Sequence, residues 1–184
     1  MQVGRALDKT GFAYWPAACL SPGLDRLLSM RRLFGLRSPV NTVARLIDPG
    51  NAGVSVDGVF HPPYIALHLG VAERLGRGAL LVIKGGGGEA ERPAAKPTAA
   101  HLWRHERGRT ELMLPPLTQA VERTAPDTPA LFARVWHGEG EMPEMARQTI
   151  VGTVALALLA LDGDLDPVVA DRRGREIWEA RRPG

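Results

Sequence analysis

Cysteine and long apolar runs are scarce in this sequence, and each shortage excludes a class of protein. Among its 184 residues only Cys19 is a cysteine, so no disulfide can form within the chain and a reducing compartment fits. We interpret this thiol as buried and inert. The first residues lack the apolar core of a signal peptide. The longest apolar run, residues 150–161, is too short to span a bilayer and is typical of a buried core helix. These features predict a cytoplasmic protein without a membrane partner.

Standard cofactor and metal motifs are also missing. The glycine run at 85–88 is neither a GxGxxG fingerprint nor a Walker loop, because no Lys-Ser or Lys-Thr follows it. His101 and His105 have the i, i+4 spacing that can hold a metal on a helix, but no third His or Cys ligand lies close by in sequence. We therefore interpret the two histidines as a surface pair.

The composition is that of an ordinary soluble domain, with 45% apolar residues, 23% charged residues and a net charge of +3. Arginine outnumbers lysine 20 to 3. A coding bias along the whole chain explains this ratio better than function does, although a preference for bidentate phosphate contacts remains the alternative.

The middle of the chain predicts a βαβ unit. Val54–Val59 alternates like a strand, a helix begins at His61-Pro62-Pro63 and runs to about Leu75, and Ala79–Ile83 is an apolar run typical of a strand buried on both faces. A strand, a helix and a second strand imply parallel pairing. The sequence thus predicts an α/β fold with a mainly parallel central sheet flanked by helices.

The remaining segments are assigned by their breakers and caps. Ser21-Pro22 is expected to cap and open a helix. Trp15 and Trp103 fall in loop-like contexts, where core anchoring is favoured over stacking on a base. We expect strands at 11–16 and 110–114, an exposed connection at 93–108, and helices at 42–47, 117–123, 129–135, 143–161 and 167–181, the last capped by Asp166.

The glycine run is the most informative candidate site. Gly85, Gly86, Gly87 and Gly88 follow the second buried strand and its last residue, Lys84. Glycine lets the main chain approach a phosphate, and its N–H groups can form an anion nest. The next carboxylates, Glu89 and Glu91, could serve a Mg²⁺-assisted sugar-phosphate site. A flexible solvent loop with an acidic end remains the simpler alternative.

A second candidate is the basic cluster of the first 50 residues, which hold seven Lys or Arg against three Asp. Its main members are Arg26, Arg31, Arg32, Arg37 and Arg45. A groove for phosphates is one interpretation, and a solvated helix face with salt bridges is the other.

Four segments, in order, resemble the glycosyl transferase family 3 fold of anthranilate phosphoribosyltransferase and its relatives. They are GFAYWPA at 11–17, MRRLFGLRSPVNTVARLIDP at 30–49, VDGVFHPPYIALHLGVAERLG at 56–76 and LLVIKGGGGEAERP at 80–93. The resemblance implies a catalytic domain like that of nucleoside phosphorylases and phosphoribosyltransferases. It also implies phosphoribosyl pyrophosphate and an aromatic acceptor as substrates, Mg²⁺ as cofactor and a homodimer in the full-length protein.

Residue by residue, the resemblance matches Arg31 to the arginine that contacts the acceptor, Asn41 to a loop asparagine and Glu91 to the second carboxylate of the Mg²⁺ pair. Its partner position is Ala90, and Lys84 stands where the family has histidine. Ala44-Arg45-Leu46 replaces the family's Gly-Pro-Leu. The lost carboxylate and the two added cations look closer to the family's nucleic-acid-binding branch.

The family's small N-terminal helical domain and the "GTGGD" loop that cradles the donor pyrophosphate do not occur in residues 1–184. We therefore expect one partial domain, non-catalytic as given, that binds single-stranded DNA or RNA, or phosphates, through a basic groove. The alternative is a Mg²⁺-dependent phosphoribosyltransferase, or an inactive fragment of one.

Overall fold

The computed structural model describes residues 2–36, 38–119 and 128–181. It divides into two compact units, of which the first ends at Ala52 and the second begins at Gly53.

The first unit is helical. Its helices are α1 (Gln2–Thr10), α2 (Ala17–Leu20), α3 (Pro22–Ser29), α4 (Arg31–Phe34) and α5 (Pro39–Arg45). The predicted cap of α3 is confirmed, because the Ser21 hydroxyl accepts the Leu24 N–H at 3.3 Å and Pro22 occupies the first turn. The helix expected at 42–47 overlaps α5, which begins earlier at Pro39.

Two expectations for this unit are wrong. Residues 11–16 form no strand, because Gly11 at a φ of +69° leaves α1 and Pro16 then caps α2. Among the residues that the structure describes, the four paired strands all lie beyond residue 53, and this segment pairs with none of them. Cys19 is exposed rather than buried, because it lies on the one-turn helix α2, which has no buried residue.

The second unit combines a sheet with helices, which confirms the predicted α/β class. Its elements are β1 (Val54–Val59), α6 (Pro63–Arg74), β2 (Ala79–Lys84), β3 (Thr98–Arg104), β4 (Gly108–Leu114), α7 (Pro129–Trp136), α8 (Glu144–Leu161) and α9 (Pro167–Glu179). The predicted βαβ unit is therefore confirmed as β1, α6 and β2. Asp166 caps α9 as expected, since its carboxylate accepts the N–H groups of Val168 and Val169.

The sheet is mixed rather than mainly parallel. Its order is β1-β2-β3-β4, with β1 and β2 parallel and the two following pairs antiparallel. The reason is local: β3 and β4 are joined by a tight hairpin in which Gly108 adopts a φ of +75°, and a short hairpin can join only antiparallel strands.

The exposed connection expected at 93–108 is wrong, because β3 runs through it. Leu102 and Trp103 are buried on opposite faces of the sheet, which hides the alternation by which a strand is recognised. The Trp103 indole N–H donates to the carbonyl of Arg77 at 3.1 Å, so this ring anchors the core. His101 lies on β3, where its Nδ1 is 3.3 Å from a carboxylate oxygen of Glu111, and not on a helix with His105.

The core has β2 at its centre. On one face Leu81 and Ile83 join Leu156 and Leu159 of α8, and on the other face the strand packs against Leu69 and its neighbours on α6. In the part of the chain that the structure describes, α8 is the one helix long and apolar enough to cross a membrane, and 39% of its residues are buried within the protein. The predicted helix at 117–123 falls largely on residues 120–127, outside the described residues, while 117–119 are not helical.

Candidate functional site

The glycine loop begins where β1 and β2 end at the same edge of the sheet. The Gly85 N–H donates to the Val59 carbonyl at 3.0 Å, so the parallel pairing continues one residue past β2. Carboxyl ends of parallel strands are where open α/β sheets bind ligands. The loop therefore stands at the edge that the sequence predicted for it.

The loop closes on its own Glu89. The Gly87 N–H donates to Glu89 Oε2 at 2.7 Å, and the Glu89 carbonyl oxygen lies so close to two glycines that an added Cβ would be 1.9 Å away at Gly58 and 2.1 Å away at Gly85. The glycines thus permit a close approach of the chain to itself. The Gly87 N–H, which was expected to help form an anion nest, already binds a carboxylate.

The acidic end of the loop offers limited ligands for a metal. Glu89 is held by the loop, residue 90 is an alanine, and Glu91 is exposed. Among the described residues, no group of three or more His, Cys, Asp or Glu side chains is arranged to hold a metal ion. Mg²⁺ keeps several waters and is commonly bound by one or two carboxylates together with substrate phosphates, so Glu91 fits only as one such carboxylate.

Arg92 anchors the loop to the helices behind it. Its guanidinium is fully buried and donates to Asp171 on α9 at 2.5 Å and to the Pro115 carbonyl at 2.7 Å. Its backbone N–H donates to the Thr153 hydroxyl on α8 at 3.1 Å. Sequence reasoning missed this arginine, because nothing in the local pattern indicates burial of a charged residue.

Lys84 lies beside aromatic side chains that sequence reasoning did not connect with it. Its Nζ is 5.9 Å from the ring centroid of Phe60, whose ring meets His61 edge-on with centroids 4.5 Å apart. The ring of Tyr64 lies 6.2 Å from that of His61. The sequence positions could have indicated this proximity, because Phe60 follows β1 directly and Lys84 ends the paired strand β2.

The basic cluster belongs to the first unit. Arg31 and Arg32 open α4, are exposed, and line a shallow surface depression with Leu28 and Ser29. Arg26 is exposed in the last turn of α3.

The other predicted residues of this unit are distributed differently. Asn41 caps its own helix, since its Oδ1 accepts the Ser38 N–H at 2.9 Å. Arg45 ends α5 and is exposed, and Arg37 lies outside the described residues. The structure thus brings Arg31 and Arg32 together, and it brings Lys84 together with the glycine loop in the second unit.

The fold and the loop define a mixed α/β protein with a candidate ligand site at the carboxyl edge of two parallel strands. Comparisons with known proteins show which α/β proteins this chain is similar to. No family model matches the chain. The chain is 30% identical over 90 residues to anthranilate phosphoribosyltransferase of Cupriavidus necator and 32% identical over 84 residues to that of Dechloromonas aromatica. These matches cover 49% and 46% of this chain, and 26% and 25% of the relatives.

The chain is thus homologous to anthranilate phosphoribosyltransferases over about half its length, and the matched region spans about a quarter of theirs. Anthranilate phosphoribosyltransferase from Thermus thermophilus has the same fold, with a TM-score of 0.72 and 24% identity over 96% of this chain and 54% of its own. The transferase side of the resemblance is supported by these relatives. The nucleic-acid-binding branch is not supported by them.

Proposed function

We propose that this chain is part of a phosphoribosyltransferase that transfers a pentosyl group from phosphoribosyl pyrophosphate to an aromatic amine. The homology to anthranilate phosphoribosyltransferases carries this proposal, and the fold is consistent with it. A cytoplasmic location, as for a soluble biosynthetic enzyme, is part of the same proposal.

In this reaction a C–N bond forms at the anomeric carbon, the C–O bond to pyrophosphate breaks, and the amine loses a proton to solvent. The residues of this chain would act by positioning and charge. The Lys84 ammonium would contact a phosphate at the edge of the sheet. Mg²⁺, held by Glu91 and the phosphates, would supply neutralising charge for the leaving pyrophosphate.

The decisive test is equilibrium binding of phosphoribosyl pyrophosphate by calorimetry, with and without Mg²⁺, followed by an assay of pyrophosphate release with 2-aminobenzoate. We expect binding that strengthens with Mg²⁺, is weakened by Glu91→Gln and is unchanged by Glu139→Gln, which removes an exposed carboxylate elsewhere. Absence of donor binding under all these conditions would refute the proposal.

Ala90→Asp restores the carboxylate that the resemblance places beside Glu91. Two adjacent carboxylates bind Mg²⁺ more tightly than one, so this variant is expected to reach half-maximal donor binding at a lower Mg²⁺ concentration. An unchanged Mg²⁺ dependence would show that the metal does not bind at residues 89–91.

A second candidate function is binding of single-stranded nucleic acid, and the adjacent exposed side chains of Arg31 and Arg32 favour it. Fluorescence anisotropy with a labelled oligonucleotide tests it, since the logarithm of the binding constant falls with that of salt by about 0.7 per phosphate contacted. Arg31→Ala/Arg32→Ala is expected to weaken binding. The matched control is Arg172→Ala/Arg173→Ala, which removes an exposed pair on α9, and equal loss in both variants would refute a specific basic groove.

A further inference from the structure

We propose that the helical face formed by α3 and α4 binds an amphipathic helix of another polypeptide, one that carries acidic side chains beside its apolar residues. The face consists of an apolar stripe and of arginines on either side of it. The members of the apolar stripe are Leu27, Met30, Leu33 and Phe34. This face lies wholly within the first unit, and the inference is independent of the transferase activity proposed above, because it uses neither the sheet edge nor the glycine loop.

The apolar stripe is continuous because α3 and α4 follow each other almost without interruption. The Met30 N–H donates to the Arg26 carbonyl at 3.2 Å, and the Phe34 N–H donates to the Met30 carbonyl at 3.1 Å. Helical hydrogen bonds thus run through the junction of the two elements. Side chains three or four positions apart are neighbours on a helix, so Met30 lies next to the other three members of the stripe.

The stripe is open to solvent. Leu33 and Phe34 are 81% and 65% exposed, and Leu27 is 48% exposed. In contrast, Leu24 and Leu28 are half-buried, and α3 packs against α2 and α5. The helix therefore has apolar side chains on two sides, and only one of these sides packs within the unit. Contiguous exposed apolar surface marks sites of interaction.

Positive charge borders the stripe on both sides. Arg26 lies one turn before Met30, and Arg31 lies one turn after Leu27. Among the described residues, no carboxylate forms an ion pair with either arginine. Asp25 is the one acidic residue in the sequence of these two helices, and it is two positions from Leu27, so it points away from the stripe. This face is therefore complementary to an apolar helix face flanked by Asp or Glu.

The same observations disfavour other occupants. A second copy of this chain would bring the arginines of one face against those of the other, and like charges across an interface repel. A lipid surface binds in proportion to the apolar area that it buries, and a stripe about 10 Å long offers little of it. A nucleic acid would engage the arginines but leave the apolar side chains between them in water. An acidic amphipathic helix satisfies both the apolar and the charged groups.

A synthetic peptide tests the proposal on the full chain. The probe is a fluorescently labelled helical peptide with leucine at every third or fourth position and glutamate beside the leucines, and a second peptide has lysine in place of glutamate. Fluorescence anisotropy measures both affinities. We expect the glutamate peptide to bind about tenfold more tightly, with a difference that decreases as added salt screens the charges. Equal affinity of the two peptides would overturn the proposal.

Substitutions in the stripe locate the site. Phe34→Ser is expected to weaken binding of the glutamate peptide about tenfold, because it removes an exposed apolar side chain at the centre of the contact. Phe12→Ser changes another exposed phenylalanine of the same unit and is the matched control. Leu33→Ser is the second variant in case Phe34→Ser disturbs α4. Binding that survives both substitutions in the stripe would overturn the proposed site.

Charge reversal tests the acidic character of the partner. Arg26→Glu/Arg31→Glu is expected to weaken binding of the glutamate peptide and to strengthen binding of the lysine peptide, so that the preference inverts. Arg172→Glu/Arg173→Glu alters an exposed pair on α9 and should leave the preference unchanged. The same preference in both variants would overturn the assignment of an acidic partner.

Two further measurements examine the other occupants. Analytical ultracentrifugation detects self-association of the chain, and co-sedimentation with phosphatidylserine vesicles detects binding to an anionic lipid surface. We expect neither at concentrations at which the glutamate peptide binds. Self-association or vesicle binding that is lost in Phe34→Ser, together with absence of peptide binding, would overturn the proposal in favour of a second copy or a membrane.

Discussion

At the scale of single residues, the closed glycine loop depends on glycine at positions where a Cβ would clash with the backbone. Gly58 lies on β1 and is buried, and the Glu89 carbonyl occupies the space in which its Cβ would lie. Neither residue can shift without loss of other interactions. Gly58 belongs to a paired strand, and Glu89 belongs to a backbone segment that Arg92 anchors. The close approach of the loop to β1 therefore requires a residue without a side chain at position 58.

Gly58→Ala is expected to destabilise the protein. The added methyl group would lie 1.9 Å from a backbone oxygen, and such overpacking typically costs about 1–3 kcal/mol. Urea unfolding measures the loss. The matched control is Gly53→Ala, where nothing lies within 4 Å of the added Cβ, and equal stability of the two variants would contradict the closed loop.

A pH effect at the residue scale is expected from Glu144 in the first turn of α8. The hydrogen bond from Gln148 at 2.7 Å, followed by that from Arg147, lowers the pKa of this carboxyl below its usual value of 4.5. A lowered pKa in the folded state stabilises the protein above the unfolded-state pKa, and this contribution is lost as the pH falls through the folded-state pKa.

Glu144→Gln is thus expected to be less stable than the parent at pH 7 and to approach it in stability below pH 4.5. Thermal unfolding at a series of pH values measures this convergence. Glu139→Gln, which alters an exposed glutamate outside α8, serves as the control. A constant difference across the pH range would show that the Glu144 carboxylate is not the titrating group.

At the scale of elements, two arginines connect the sheet with the C-terminal helices. Arg92 joins the loop after β2 to α8 and α9 through Thr153 and Asp171. Arg104, at the end of β3, donates to the Leu159 and Ala160 carbonyls in the last turn of α8, where a cation also complements the helix dipole. The helices are thereby held in register with the strand ends that carry the candidate site.

Arg92→Met is expected to be strongly destabilising, by about 3–5 kcal/mol, because it leaves the carboxylate of Asp171 without its buried partner. Adding Asp171→Asn should recover part of this loss, since the uncompensated charge is removed. Arg107→Ala, which breaks an exposed pair with Asp164, should change stability little. Chemical denaturation of the three variants measures these differences, and equal effects at both pairs would contradict the importance of burial.

At the scale of the whole molecule, burial is distributed unequally. In the part of the chain that the structure describes, every buried hydrophobic side chain lies beyond residue 52, and the first unit exposes large apolar side chains such as Leu33 and Phe34. Burial of apolar surface is the main stabilising contribution in folding. The second unit is therefore expected to account for most of the stability of this chain.

Hydrogen exchange measured by mass spectrometry tests this expectation. Amides of β2, β3 and α8 are expected to be strongly protected, while those of α3 and α5 should exchange much faster because few apolar contacts oppose their local opening. Equal protection in both units would contradict this expectation, because it would show that the helices before residue 52 are as stable as the core of the second unit.

Local pattern was sufficient for part of this protein. The Ser21 and Asp166 caps, the β1–α6–β2 unit and the apolar helix α8 follow from neighbouring residues, because capping and periodicity act over a few positions. The glycine loop was correctly predicted at the end of β2, since a buried strand and a glycine run are both visible in sequence. The general α/β class follows from the same evidence.

The tertiary structure decided what depends on distant partners. The antiparallel pairing of β3, the burial of Trp103 and the ion pair between Arg92 and Asp171 join residues that no local pattern connects, because packing rather than propensity selects them. For the same reason only the folded chain brings Phe60 next to Lys84. Only the fold shows that the Glu89 backbone occupies the space that a Cβ at Gly58 or Gly85 would need. Caps and periodicity in the sequence determined the elements that depend on neighbouring residues, whereas packing decided the strand β3 and which side chains meet.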